Sequence, residues 1–137
     1  MVWRTYNMQT RENGEIMKDG QSLDVPANEQ YVVTLAVEDL NSGVKHVTLS
    51  GNVQYVCEQG SRGETKRFIL ETQETKGVPD EKDTVPIRAA LAYPVEFGKM
   101  GCKEFWKFGG GKLTLSGTAY NFVGGAEART LFINLKK

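Results

Sequence analysis

The sequence predicts an all-β chain, an antiparallel β-sandwich or flattened β-barrel of about eight or nine strands. Three observations predict it. Apolar residues recur at every second position through much of the chain, Gly- and Asn-rich turn signals interrupt those runs, and no stretch carries the apolar repeat of a long helix. A chain of 137 residues has the size of a single domain and can bury most of its unfolded surface, so 1–137 is read as one unit.

Near the N-terminus, Asn13-Gly14 and Asp19-Gly20 are the strongest local hairpin signals. Tyr31, Val33, Leu35 and Val37 then alternate with Val32, Thr34, Ala36 and Glu38, a β-branched-rich pattern that suits a strand with one face on a core. Val47, Leu49, Gly51, Val53, Tyr55 and Cys57 continue at a strict period of two, in a long strand bent at Gly51. The polar link EQGSRGE and the run TKRFILETQ form the turn and return arm of a hairpin. Residues 73–84 hold charge, Gly and Pro with almost nothing apolar, and are expected as an exposed, mobile connection.

Val85, Ile87, Ala89, Leu91, Tyr93, Val95 and Phe97 resume the alternation, with Pro86 and Pro94 on the other parity, as in an edge strand or at strand ends. A short helix through PIRAALAY competes, but the unbroken alternation favours the strand. In EFWKFGGGKLTLSG, the triple glycine Gly109 to Gly111 is read as a flexible turn between two strands, with a hairpin tip or a bulge explaining the glycines. The last pair, LTLSGTAYNFV and EARTLFINL, joins around Gly124-Gly125.

An internal echo accompanies these elements. TLSG occurs at Thr48 to Gly51 and at Thr114 to Gly117, and Val-Pro pairs at Val25-Pro26 and Val85-Pro86 each precede an alternating run ending in Val-Glu. One physical reading is a pair of pseudo-symmetric β-meanders packed face to face. Short β-strings also coincide by chance.

Seventeen basic and seventeen acidic residues cancel, so no net field gathers phosphates, and nucleic acid is a disfavoured partner. No apolar stretch approaches the length that spans a bilayer as a helix, which argues against integral membrane association. The opening MVWRTYNMQT lacks the basic start and apolar run of a secretory signal, so a cytoplasmic location is expected unless a leader was removed. On that ground Cys57 and Cys102 are expected as reduced thiols, with one bridge as the alternative.

Chemistry is sparse. His46 is the one histidine, on the parity opposite the core, so neither a serine or cysteine nucleophile with its base nor a histidine-rich zinc site can be assembled. Asp80, Glu81 and Asp83 lack the regular oxygen spacing and central Gly of an EF-hand, and the glycines before Lys112 lack the Walker pattern. No catalytic, cofactor or metal residue is assigned. A carboxylate-dependent hydrolase is the weakest alternative, because nothing selects a pair of acids.

Flat aromatics remain. Trp106, Phe105, Phe108 and Trp3 are the candidate ligand- or partner-binding residues, and strand neighbours Phe105 and Trp106 must point to opposite faces. The expected function is a non-enzymatic binding or assembly module, meeting a protein partner or a second copy through a β-surface or loop tips near Trp106 and the 73–84 connection. The alternative is a small-ligand carrier whose barrel interior is a cavity lined by Tyr31, Tyr55, Tyr93 and Leu115.

Overall fold

A computed structural model of the chain describes residues 1–26, 29–39, 42–79, 86–95 and 102–136. The alternation becomes strand throughout: β1 (Val2–Asn7), β2 (Glu12–Asn13), β3 (Ser22–Pro26), β4 (Tyr31–Glu38), β5 (Val44–Gln59), β6 (Arg62–Lys76), β7 (Val78–Pro79), β8 (Pro86–Val95), β9 (Lys107–Asn121) and β10 (Ala126–Lys136). One sheet has the order β2-β1-β4-β8-β7 and the other β3-β10-β9-β5-β6. Neither closes on itself, so the architecture is the sandwich and not the barrel. Among the described residues no helix is long and apolar enough to cross a membrane.

The inward faces are those the alternation marks. Val47, Leu49, Val53, Tyr55 and Cys57 of β5 are buried, as are Val33, Leu35 and Val37 of β4 and Leu131, Ile133 and Leu135 of β10. Pro86 opens β8 and Pro94 stands next to its last residue, where a missing N–H costs the ladder least. The strand reading of this segment therefore holds over the helix. Val85 and Phe97 lie outside the described residues.

Several local expectations are corrected. Asn13 pairs with Tyr6, so Asn13-Gly14 is not the hairpin turn. The chain reverses earlier, where the Asn7 side chain accepts bonds from the Gln9 and Thr10 amides and Arg11 takes φ 58°. Asp19-Gly20 does make a turn, but it hooks onto β10: Asp19 Oδ1 accepts from Thr130 N at 2.7 Å and Gly20 N donates to Thr130 O at 2.8 Å. That anchor lays β3 parallel to β10, the one parallel pair among the ladders of the described residues. The expected 73–84 connection is strand as far as Lys76, and at Gly77, whose amide donates to Lys45 O at 3.3 Å, the chain leaves one sheet to enter the other as β7. Asp80, Glu81 and Asp83 lie outside the described residues.

The echo has a different geometry from the one expected. β5 and β9 are neighbours, with Leu49 opposite Gly117, Ser50 opposite Ser116 and Gly51 opposite Leu115, so the two TLSG strings face each other about Ser50 and Ser116. β4 and β8, the two runs preceded by Val-Pro, also pair with each other. Each half therefore contributes to both sheets, and the halves interleave instead of packing face to face.

Gly117 sets the distance between the sheets. A Cβ there would collide with Leu35 Cδ2 from the other sheet and lie 3.5 Å from Trp3 Cη2. Leu35 and Trp3, register partners on β4 and β1, fill the space that this glycine leaves.

Candidate functional site

β9 runs from one end of the sandwich to the other, and the two ends differ. At its start, Cys57 of β5 and Cys102 are bonded at 1.99 Å, which overturns the expectation of two reduced thiols. Beside the bridge, Tyr55 and Phe108 rings lie 5.8 Å apart at a tilt of 34°. The triple glycine is not a turn: β9 runs through it, and it forms a bulge. Tyr55 pairs with Gly111 and Cys57 with Phe108, so the β9 segment is longer by one residue than the β5 segment it faces, and Gly110 takes φ 94° to accommodate it. Gly111 is needed for close approach, since a Cβ would meet Gln54 O at 2.5 Å and Tyr55 Cβ at 2.6 Å.

The bridge ties down a tight turn. Trp106 N donates to Lys103 O at 3.0 Å, which places Phe105 at the third position of a four-residue turn with φ 68°. That is the position a type II turn reserves for glycine or asparagine. Phe105 is 81% exposed there. Lys103 Nζ lies 3.7 Å from Glu64 Oε2, and Lys66 Nζ lies 2.7 Å from Glu64 Oε1, linking the turn to the β5–β6 hairpin. The hydrogen bond from Lys66, with the charge of Lys103 adding to it, holds the Glu64 carboxyl below its ordinary range.

The four aromatic candidates therefore separate. Phe105 is presented to solvent by a turn, not by strand parity, because β9 begins only at Lys107. Trp106 and Phe108 are half-buried and pack against the core, so they support the loop. Trp3 is fully buried, its indole Nε1 without an acceptor among the described residues, and its assignment as a contact residue is corrected to a core role. The expected cavity residues are also spent on packing: Tyr55 and Leu115 lie in the core, and Tyr31 and Tyr93 pack against it. The Tyr31 hydroxyl accepts from Asn7 Nδ2 at 3.1 Å, and burial pushes its pKa up.

The other end of β9 is open. A cleft of about 770 Å³ lies where Val37 and Glu38 of one sheet, with Asp39 just past the end of β4, face Val44, Tyr120 and Glu127 of the other. A smaller one of about 480 Å³ shares Met1, Val37 and Glu38 with it and continues past Val2, Arg4 and Ala90. On the neighbouring outer surface, His46 stacks on Tyr120 with ring centroids 4.3 Å apart, and its Nε2 lies 3.9 Å from Glu74 Oε1. The β9–β10 turn carries Phe122 and Val123, 51% and 75% exposed. Sequence reasoning missed this end, although two large apolar residues inside a Gly-Gly turn were a legible signal. Among the described residues no cluster of histidine, cysteine or carboxylate side chains is placed to hold a metal ion.

No protein-family model matches the chain, and no curated protein matches it in sequence. Among solved structures it is similar to the crystal structure of Spo0M, a sporulation control protein from Bacillus subtilis, with 7% sequence identity and a TM-score of 0.35. The match covers 100% of this chain and 50% of that one, so the chain spans about half the length of the Spo0M chain. So distant a likeness carries no functional argument.

Proposed function

We infer that the chain is a non-enzymatic binding module that presents Phe105 to a protein partner. The observation that carries this reading is the combination of strain and exposure at one residue. A left-handed backbone costs a non-glycine residue about 1–2 kcal/mol, and an exposed ring recovers none of it by burial. Glycine would serve the turn better, so a phenylalanine there is explained by what it touches outside the molecule. The Cys57–Cys102 bridge holds the turn in place, and a pre-organised aromatic loses little entropy on docking. In sequence Phe105 stands between Lys103-Glu104 and Trp106-Lys107, charges of both signs, so the ring itself is the contact and suits an apolar socket. The bridge also fits an oxidising compartment better than the cytoplasmic location expected from the N-terminus.

Phe105→Gly tests this reading through two effects of opposite sign. Unfolding in denaturant is expected to show a gain of about 1 kcal/mol from relief of the turn. Capture of the partner is expected to fall by tenfold or more, as for a central aromatic contact. A variant that is less stable, or that captures the same partner equally well, removes the reading.

A second reading rests on the open cleft, whose volume of about 770 Å³ falls in the range of small-molecule sites. Its rim carries Glu38, Asp39 and Glu127 over a floor of Val37 and Val44, which suits a cationic, partly apolar small molecule. Thermal stabilisation by amines and not by carboxylates of equal size is its signature, and a flat response to both removes it.

A further inference from the structure

We propose that the outer edge of β6 pairs antiparallel with the same edge of a second copy of this chain, about a two-fold axis through Ile69. Among the described residues β6 is the last strand of its sheet, and at 15 residues it offers a long row of backbone groups beyond the last ladder. Ile69 sits in the middle of that strand and is 85% exposed. It is the register partner of Asn52 and points away from the core, since its neighbour Leu70 pairs with buried Gly51. Arg67 and Glu71 are also exposed, two positions to either side of Ile69 on the same face.

That spacing is self-complementary. In an antiparallel pair centred on Ile69, the two isoleucines stand opposite each other, Arg67 stands opposite Glu71 of the second copy, and Glu71 stands opposite its Arg67. Apolar surface that water now covers is buried, and two opposite-charge cross-strand pairs flank it. Neighbouring registers do not have this property. Centring on Phe68 sets Arg67 against Ile69, centring on Leu70 sets Ile69 against Glu71, and centring on Arg67 or Lys66 sets like charges together. The length of the pairing is bounded by the strand itself. Leu49 pairs with Gln73 and Gly51 with Leu70, so β6 carries an extra residue at Glu71–Thr72, and the bulge turns the edge away from there on. The paired stretch, Arg67 to Glu71, matches the usual length of a strand contact.

Sedimentation equilibrium over a range of concentrations tests the pairing, with four proteins: the unaltered chain, Ile69→Lys, Arg67→Glu and Glu71→Arg. The unaltered chain is expected to form dimers, and Ile69→Lys to stay monomeric with unchanged circular dichroism. Each charge reversal creates two like-charge contacts and is expected to weaken self-association by about tenfold or more. The decisive arm is the mixture. Arg67→Glu with Glu71→Arg restores both opposite-charge pairs between unlike copies, so a one-to-one mixture is expected to form heterodimers where neither variant alone associates. A chain that stays monomeric throughout, dimers indifferent to Ile69→Lys, or a mixture no more associated than its components would each overturn the proposal.

Discussion

The start and the end of β9 solve the same problem in different ways. A sandwich of two open sheets leaves apolar interior at both ends, and something must cover it. At the start, the Cys57–Cys102 bridge and the half-buried Trp106 and Phe108 cover it, and the glycine bulge brings β9 close enough to β5 for the cover to fit. At the end of the strand the sheets part around the cleft between Val37 and Val44. There the β9–β10 turn is held by side-chain hydrogen bonds, Asn121 Oδ1 accepting from Gly125 N at 2.6 Å and from Val123 N at 3.2 Å. Each end exposes apolar side chains beyond its cover, Phe105 at one and Phe122 with Val123 at the other. The difference is one of rigidity: the first group projects from a covalently fixed turn, the second from a hairpin tip held by hydrogen bonds. Elements of the second kind open locally at lower free energy.

Removing the bridge tests that contrast most severely. The two cysteines are 45 residues apart, and releasing a loop of that size from the unfolded ensemble is expected to cost about 2–4 kcal/mol. Cys102→Ala is therefore expected to lower the unfolding free energy by that amount in a denaturant titration. Amide exchange at Lys107 to Gly111 should rise to the level of the β9–β10 turn, while exchange at the cleft stays as it was. Equal rates at the two ends before the substitution would break the comparison.

A milder change acts from the other side. Asn121→Ala removes two acceptor contacts, each contributing about 0.5–1.5 kcal/mol, so a loss of about 1–3 kcal/mol is expected. Its signature is faster exchange confined to Val123 and Gly125, with Trp106 fluorescence unchanged. A spread of the effect to the bridged turn would mean that β9 transmits the loss along its length, and the ends would then be one cooperative unit.

The same contrast shows what the sequence can and cannot convey. Parity along a strand is a local property, so the inward positions of β4, β5 and β10 were legible residue by residue, down to Cys57 at the end of its run. Trp3 was not, because its stripe continues into Thr5, a polar residue 3% exposed, which hides the alternation, and because its partners Leu35 and Gly117 are distant in the chain. The glycines at 109–111 demanded unusual backbone conformations, but a bulge and a turn make the same local demand. What decided for the bulge was the β5 backbone lying against Gly111. The disulfide joins residues 45 apart in the chain, and no pattern around Cys102 announces its partner. Phe105 was only half legible: strand parity required one of Phe105 and Trp106 to leave the core without saying which, and it is a turn ahead of the strand that turns Phe105 outward.

The smallest expected effect concerns the charges that support the bridged turn. Glu64 accepts from Lys66 and faces Lys103, and these cations hold its carboxyl below the ordinary range in the folded protein. A carboxyl with a depressed folded-state pKa contributes stability that is complete above its unfolded value and is lost as pH falls through the folded one. The contribution should thus be intact at neutral pH and vanish in acid, below the pH at which an ordinary glutamate has begun to protonate. Because all three groups meet solvent, salt should weaken it and the change in overall stability should be slight. The sensitive measurement is the carboxyl titration of Glu64 by NMR in the unaltered chain and in Lys66→Met. The substitution should move the midpoint upward and speed amide exchange at Lys103 to Trp106, while the β9–β10 turn stays as it was. A midpoint that does not move would mean that the turn is held by the disulfide alone, and the rigidity of the Phe105 end would then rest entirely on its covalent tie.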